Sequence, residues 1–275
     1  MTTLETPTLA SELITHIGIF ELRNTMLMAW IAMAILAVAA LSIRATKYKR
    51  VPGRFQTAAE MIIEGLFNFC DSILQDKRVT RIAFPLVATL FIFILLSNWM
   101  GILPGVGSIT VEALHNGHAV RFPLFRSMNA DVNVTLAFSI ISVIFTQVLG
   151  VVSIGILPYL SKYFVAPWKK PYLIGTFVGI LEFIGEFARL VSFTFRLFGN
   201  IFAGEVLLVV TFFFVPYIMP IPFLGMEIFV GLIQALVFAM LTLVFIKMAV
   251  TAHDHGEHPS TSSGSSRELD QPHPA

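Results

Sequence analysis

Five stretches of this chain are too apolar and too long to be left in water, and that restricts the fold more than any other feature of the sequence. Inside a bilayer no water serves the backbone N–H and C=O groups, so only helices and closed barrels cross it. Runs near the 20 apolar residues that span hydrocarbon read as helices. The spans fall at about 25–43, 82–103, 132–160, 172–214 and 222–252. Composition agrees, since 13% of the 275 residues are charged, about half the share of a soluble domain. The fold class is therefore an all-α integral membrane protein, and nothing supports nucleic-acid binding.

Basic residues orient the spans. Arg44, Lys47, Lys49, Arg50 and Arg54 follow the first span and mark the cytoplasmic side. The N-terminal segment 1–24 is then outside and, after five crossings, the C-terminus inside. No basic leader precedes the first span, so it is expected to stay in the mature protein. Between 56 and 74, Ile62, Ile63, Leu66 and Phe69 alternate with Glu60, Glu64, Asn68 and Asp71 at helical spacing, which predicts an amphipathic surface helix. Residues 105–130, with Glu112, His115, His118, Arg121 and Arg126, read as an outer loop. The tail 253–275 is rich in Ser, Pro and charge and reads as disordered. Its His253, His255 and His258 suit solvent better than a metal, and no cofactor is expected. Cys70, the one cysteine, can form no internal disulfide and suits packing on an apolar helix face.

The fourth stretch is the unusual one. At about 40 residues it would be about 60 Å long, twice the hydrocarbon thickness, so it must be tilted or broken. It carries Arg196, whose guanidinium stays charged and needs a polar partner or a wet cavity at membrane depth. Each residue of a helix turns by about 100°, so Glu182, Arg189, Ser192 and Asn200 share the Arg196 face. Glu205, nine positions on, points the other way. Gly199, Ala203 and Gly204 would let another helix approach closely. On the last span, Glu227 and Gln234 share a face.

Two readings of Arg196 stand at this point: a structural ion pair with Glu182 or Glu205, or a functional cation. Arg189 and Lys247 suit snorkelling to the interface, and Glu186 suits the headgroup region. Glu205 and Glu227, carboxylates in apolar helices, are natural proton-relay elements.

The run Arg196-Leu-Phe-Gly-Asn200-Ile-Phe-Ala-Gly-Glu205 resembles the signature of subunit a of the F-type ATP synthase membrane sector. Supporting matches are Pro52-Gly-Arg-Phe-Gln56, Asn98 with Pro104, Ala130-Asp-Val-Asn-Val-Thr135, Glu182 and Gln234-Ala-Leu-Val-Phe238. The resemblance covers about residues 50 to 250. It implies an ion-translocating stator subunit, not catalytic alone, whose last two helices form a tilted hairpin against a ring of c subunits. A b-subunit stalk, the remainder of the ATP synthase and a bacterial inner membrane complete the implied setting.

Residue by residue, the resemblance makes Arg196 the obligatory arginine facing the ring. Glu205 matches a polar residue of a proton half-channel. Glu227 stands where some members have histidine and others glutamate. Asn200 and Gln234 match polar neighbours of the arginine, while Asp131, Asn133 and Glu182 match half-channel positions. The competing expectations are a self-sufficient channel or exchanger gated by Arg196, which would conduct when reconstituted alone, and a passive structural subunit of a respiratory complex.

Overall fold

The computed structural model describes residues 11, 13–17, 20–45, 53–103, 109–115, 118–161, 174–215 and 218–251. The expected tail and its histidines lie outside the described residues. Five helices are long and apolar enough to cross a membrane: α1 (Asn24–Ala45), α3 (Lys77–Ile102), α4 (Val132–Ile154), α6 (Ile174–Phe214) and α7 (Pro220–Thr251). Beside them lie α2 (Arg54–Leu74) and the short α5 (Ile156–Ser161). Two antiparallel strand pairs accompany the helices: β1 (Leu13–Ile17) with β2 (Phe20–Arg23), and β3 (Thr110–His115) with β4 (His118–Pro123).

Local chemistry sets the helix ends. Asp76 caps α3, its carboxylate accepting from the N–H groups of Arg78 at 2.8 Å and Val79 at 3.5 Å. That cap satisfies donors a helix start otherwise leaves open, so the helix begins at Lys77, ahead of the apolar span near Ile82. Gln75, with φ 59°, turns the chain between α2 and α3. Asp131 caps α4 in the same way, accepting from the Asn133 N–H at 2.9 Å. At the far end of α4, Gly155 takes φ 98°, a conformation open chiefly to glycine. The chain breaks there instead of running straight to Leu160, and Tyr159 folds back against Gly150 to hydrogen-bond Gln147. By contrast α6 is unbroken across 41 residues, which leaves tilt as the way to fit its length to a bilayer.

Packing follows from which faces are small or apolar. Thr135, Ser139, Ser142 and Thr146 recur along one side of α4 and are all buried. Thr135, Ser139 and Thr146 bond back to carbonyls four residues earlier, and Ser142 shares a 2.8 Å hydrogen bond with Thr242 of α7. Small hydroxyl side chains with their own polar needs met let helices approach closely. One apolar cluster joins α2, α3, α4 and α7 through Cys70, Ala83, Val87, Leu149 and Leu243. Burial pushes the Cys70 thiol up to about 11, so it stays a protonated packing group. A second cluster joins α3, α6 and α7 through Ile94, Phe193, Leu197, Ala235 and Phe238. The surface helix α2 reaches the bundle by its C-terminal half, whereas Met61, Ile62 and Ile63 are exposed.

Candidate functional site

The orientation of Arg196 is fixed by its neighbours. Phe193, Leu197 and Ile201 are buried against α3 and α7, with the Phe193 and Phe238 rings 5.0 Å apart. Their spacing makes one apolar ridge on α6, which turns the intervening Arg196 outward. Arg196 is exposed, and among the described residues its hydrogen bond is donated from Nη2 to Ser192 Oγ at 3.1 Å. It makes no ion pair among those residues. One turn and more below, Arg189 donates to both carboxylate oxygens of Glu186 at 2.9 and 2.8 Å. The Arg189 guanidinium also lies 3.8 Å from the centre of the Phe245 ring. A groove of about 270 Å³ runs along this face past Gly185, Ser192, Arg196 and Phe245.

Of the two readings of Arg196, the structural pair with Glu182 or Glu205 is not found among the described residues. Glu205 belongs to another arginine, Arg126, whose Nε and Nη2 both donate to it at 3.0 Å. Arg126 is 4% exposed, a burial that the reading of 105–130 as an outer loop did not anticipate. The stretch Arg126 to Asp131, which includes the 3-10 turn Met128–Ala130, is buried throughout. It inserts between the helices, because the apolar Met128 and Ala130 carry the polar Ser127 and Asn129 in with them.

Beside this ion pair lies the second carboxylate. Glu227 is 8% exposed and fills space left by the missing side chain of Gly204. A Cβ at Gly204 would stand 2.7 Å from the Glu227 carboxyl carbon, so any larger residue would push that carboxyl from its seat. Glu227 has no hydrogen-bond or ionic partner among the described residues. Toward the middle of the helices, Asn200 Nδ2 donates to Gln234 Oε1 at 3.4 Å. Asn98 donates to the Gly231 carbonyl at 2.9 Å and accepts from Asn129 Nδ2 at 2.7 Å. Ser127 Oγ, Asn129 Oδ1 and Gln234 Nε2 are buried without a protein partner among the described residues, and such atoms are ordinarily served by water.

The structure thus divides the expected residues. Glu205, Glu227, Asn200 and Gln234 come together between α6 and α7. Arg196 and Ser192 face outward from the same segment of α6. Glu182 is half-buried toward the N-terminal end of α6. Asp131 and Asn133 are engaged in the α4 cap, where Asp131 also accepts from Thr25 Oγ1 of α1 at 3.2 Å. Sequence reasoning missed Arg126, Ser127 and Asn129. No local signal marked them, for Arg126 and Glu205 lie 79 positions apart.

A family model described as ATP synthase A chain matches residues 26–247. The chain is 33% identical over 241 residues to ATP synthase subunit a of Syntrophobacter fumaroxidans, covering 86% of this chain and 88% of that protein. It is 33% identical to the subunit a of Geotalea daltonii, covering 86% and 91% respectively. For that of Moorella thermoacetica the identity is 30%, covering 86% and 95%.

Proposed function

The chain belongs to the ATP synthase A chain family, a multi-pass membrane component of the ATP synthase complex, and from that premise we propose that it is the stator face past which ions move. The single observation that carries this reading is Arg196, a permanent cation exposed on an apolar helix with no carboxylate of its own among the described residues. Such a charge at membrane depth calls for a partner or a wet cavity, and none of the described carboxylates serves it. A ring of c subunits, each bringing one carboxylate, fits that need.

The physical sequence is short. A ring carboxylate facing lipid travels neutral, because an isolated charge in hydrocarbon is far too costly. On reaching Arg196 its charged form is favoured by the opposite charge. The ion leaves into one aqueous half-channel, and the carboxylate reloads from the other before it returns to lipid. The fixed positive charge between the routes repels protons and so blocks direct leakage. Each elementary charge moved down the potential yields about 2.3 kcal/mol per 100 mV, which turns the ring.

One route is proposed along Glu205, Glu227, Asn200 and Gln234. Supporting it are the buried polar atoms of Ser127, Asn129 and Gln234 in the same region, which have no partner among the described residues. Ser192 holds the Arg196 guanidinium, and Glu182 belongs to the route at the other end of α6. Asp131 and Asn133 contribute by fixing the start of α4 beside the site. The proposed setting is a bacterial inner membrane, N-terminus outside and C-terminus inside, with a b-subunit stalk as a further partner.

Replacing Arg196 tests the reading. Complexes with Arg196→Ala should assemble, yet lose ATP synthesis and ATP-driven acidification of membrane vesicles. Normal synthesis by that variant would refute the assignment.

A further inference from the structure

The cleft between α6 and α7 holds two carboxylates but commits a cation to one of them. Arg126 grips both oxygens of Glu205, with Nε at 3.0 Å from Oε1 and Nη2 at 3.0 Å from Oε2. The Arg126 side chain is 3% exposed and that of Glu205 26%. A planar guanidinium matched to a carboxylate through two parallel bonds is the strongest common form of this contact. Protonating Glu205 would leave a buried charge that cannot neutralise itself, since arginine does not give up its proton. Glu227 meets different surroundings. It packs against Gly204, the residue next to Glu205, and lacks an ionic or hydrogen-bond partner among the described residues.

We propose that Arg126 is a positioning residue that holds Glu205 as a fixed anion, leaving Glu227 as the one carboxyl of the pair that takes up and gives up protons. The proposal rests on the reading of this cleft as an ion route. It assigns different work to two residues that the sequence presents as equivalent. Two carboxyls, one gripped by a cation and the other not, can divide the tasks of fixed charge and carrier. The proton balance is simple. With Arg126 at +1 and Glu205 at −1, the cluster alternates between −1 and 0 as Glu227 releases a proton to water on one side and binds one from the other. The fixed Glu205 charge then attracts protons to the neighbourhood without becoming a stop on their path.

The test uses whole ATP synthase complexes in inverted membrane vesicles, with acidification measured per assembled complex. Arg126→Gln and Glu205→Gln should each slow transport strongly, because each strands its partner. The double variant Arg126→Gln with Glu205→Gln removes both charges and should run at least about tenfold faster than either single variant, the size of coupling expected for residues in direct contact. Arg126→Lys, which keeps the charge and loses the fork, should recover part of the rate lost in Arg126→Gln. Glu227→Gln should be the slowest of the series. A double variant as slow as Glu205→Gln would show that Glu205 itself carries protons and would overturn the proposal. So would a double variant that fails to assemble, an unimpaired Arg126→Gln, or an unimpaired Glu227→Gln. Arg196→Ala in the same vesicles separates the two levels: if it stays inactive while the ordering fails, this inference falls alone, and if it is active, the underlying reading falls.

Discussion

Arg196 and Arg126 carry the same guanidinium and stand in opposite conditions. Arg196 is exposed on the apolar surface of α6 and bonds a neutral hydroxyl of its own helix. Arg126 is buried, with both arms of its fork on a carboxylate from a distant part of the chain. Arginine keeps its charge in either place, so the difference lies wholly in where the counter-charge comes from. Arg126 is satisfied within the subunit and fixes structure. Arg196 has no counter-charge among the described residues, an arrangement that suits the proposed meeting with a moving partner.

Stability is the sharpest way to separate them. Arg126→Met should destabilise the assembled complex by about 3–5 kcal/mol, the usual cost of stranding one member of a buried pair. Arg196→Met should cost the fold of the subunit itself no more than about 0.5 kcal/mol, because the pair proposed for it is made with the ring and not within the chain. Heating the two purified complexes and following loss of this subunit from them reads the difference without relying on transport activity, and equal losses would break the distinction. A smaller effect is expected from Gly204→Ala, which drives a methyl into the Glu227 carboxyl. Overpacking of this kind costs about 1–3 kcal/mol. Proton transport should fall while Arg126 and Glu205 stay paired, and unchanged acidification would mean that Glu227 does not depend on its present seat. Least of all should come from Ser192→Ala. It removes one exposed hydrogen bond worth about 0.5–1.5 kcal/mol, so transport should drop only slightly, and loss comparable to Arg196→Ala would show that the hydroxyl, not the charge, is essential.

Legibility in the sequence followed the range of the forces involved. Apolar runs and the helical alternation around Ile62 and Glu64 are local, and they were enough to reveal the five long helices and α2. The polar face that Arg196 shares with Ser192 was readable from helical spacing, but whether that face was paired or open was not, until the buried ridge of Phe193, Leu197 and Ile201 turned it outward. The start of α3 was not placed, since a single cap by Asp76 extends a helix beyond its apolar part. The strands of residues 13–23 went unseen, being too short for a period to stand out. Most consequential, the loop-like stretch with Arg126 gave no hint of burial. Its partner is remote in sequence, and an arginine in a polar segment looks the same whether it faces water or an acid. The spacing did show that Glu205 turns away from Arg196, but not what it turns toward.

One pair of contacts has a mechanical meaning. Asn98 and Trp99, adjacent on α3, donate to the carbonyls of Gly231 and Ile228 on α7, at 2.9 and 3.2 Å. Two grips, almost a helical turn apart, resist sliding along the axis and twisting about it in a way that one could not. Glu227 immediately precedes the lower grip, so its height is anchored to the rest of the bundle. A sideways load on the α6–α7 hairpin would therefore be shared with α3, and the carboxyl would keep its level while the neighbouring surface was dragged.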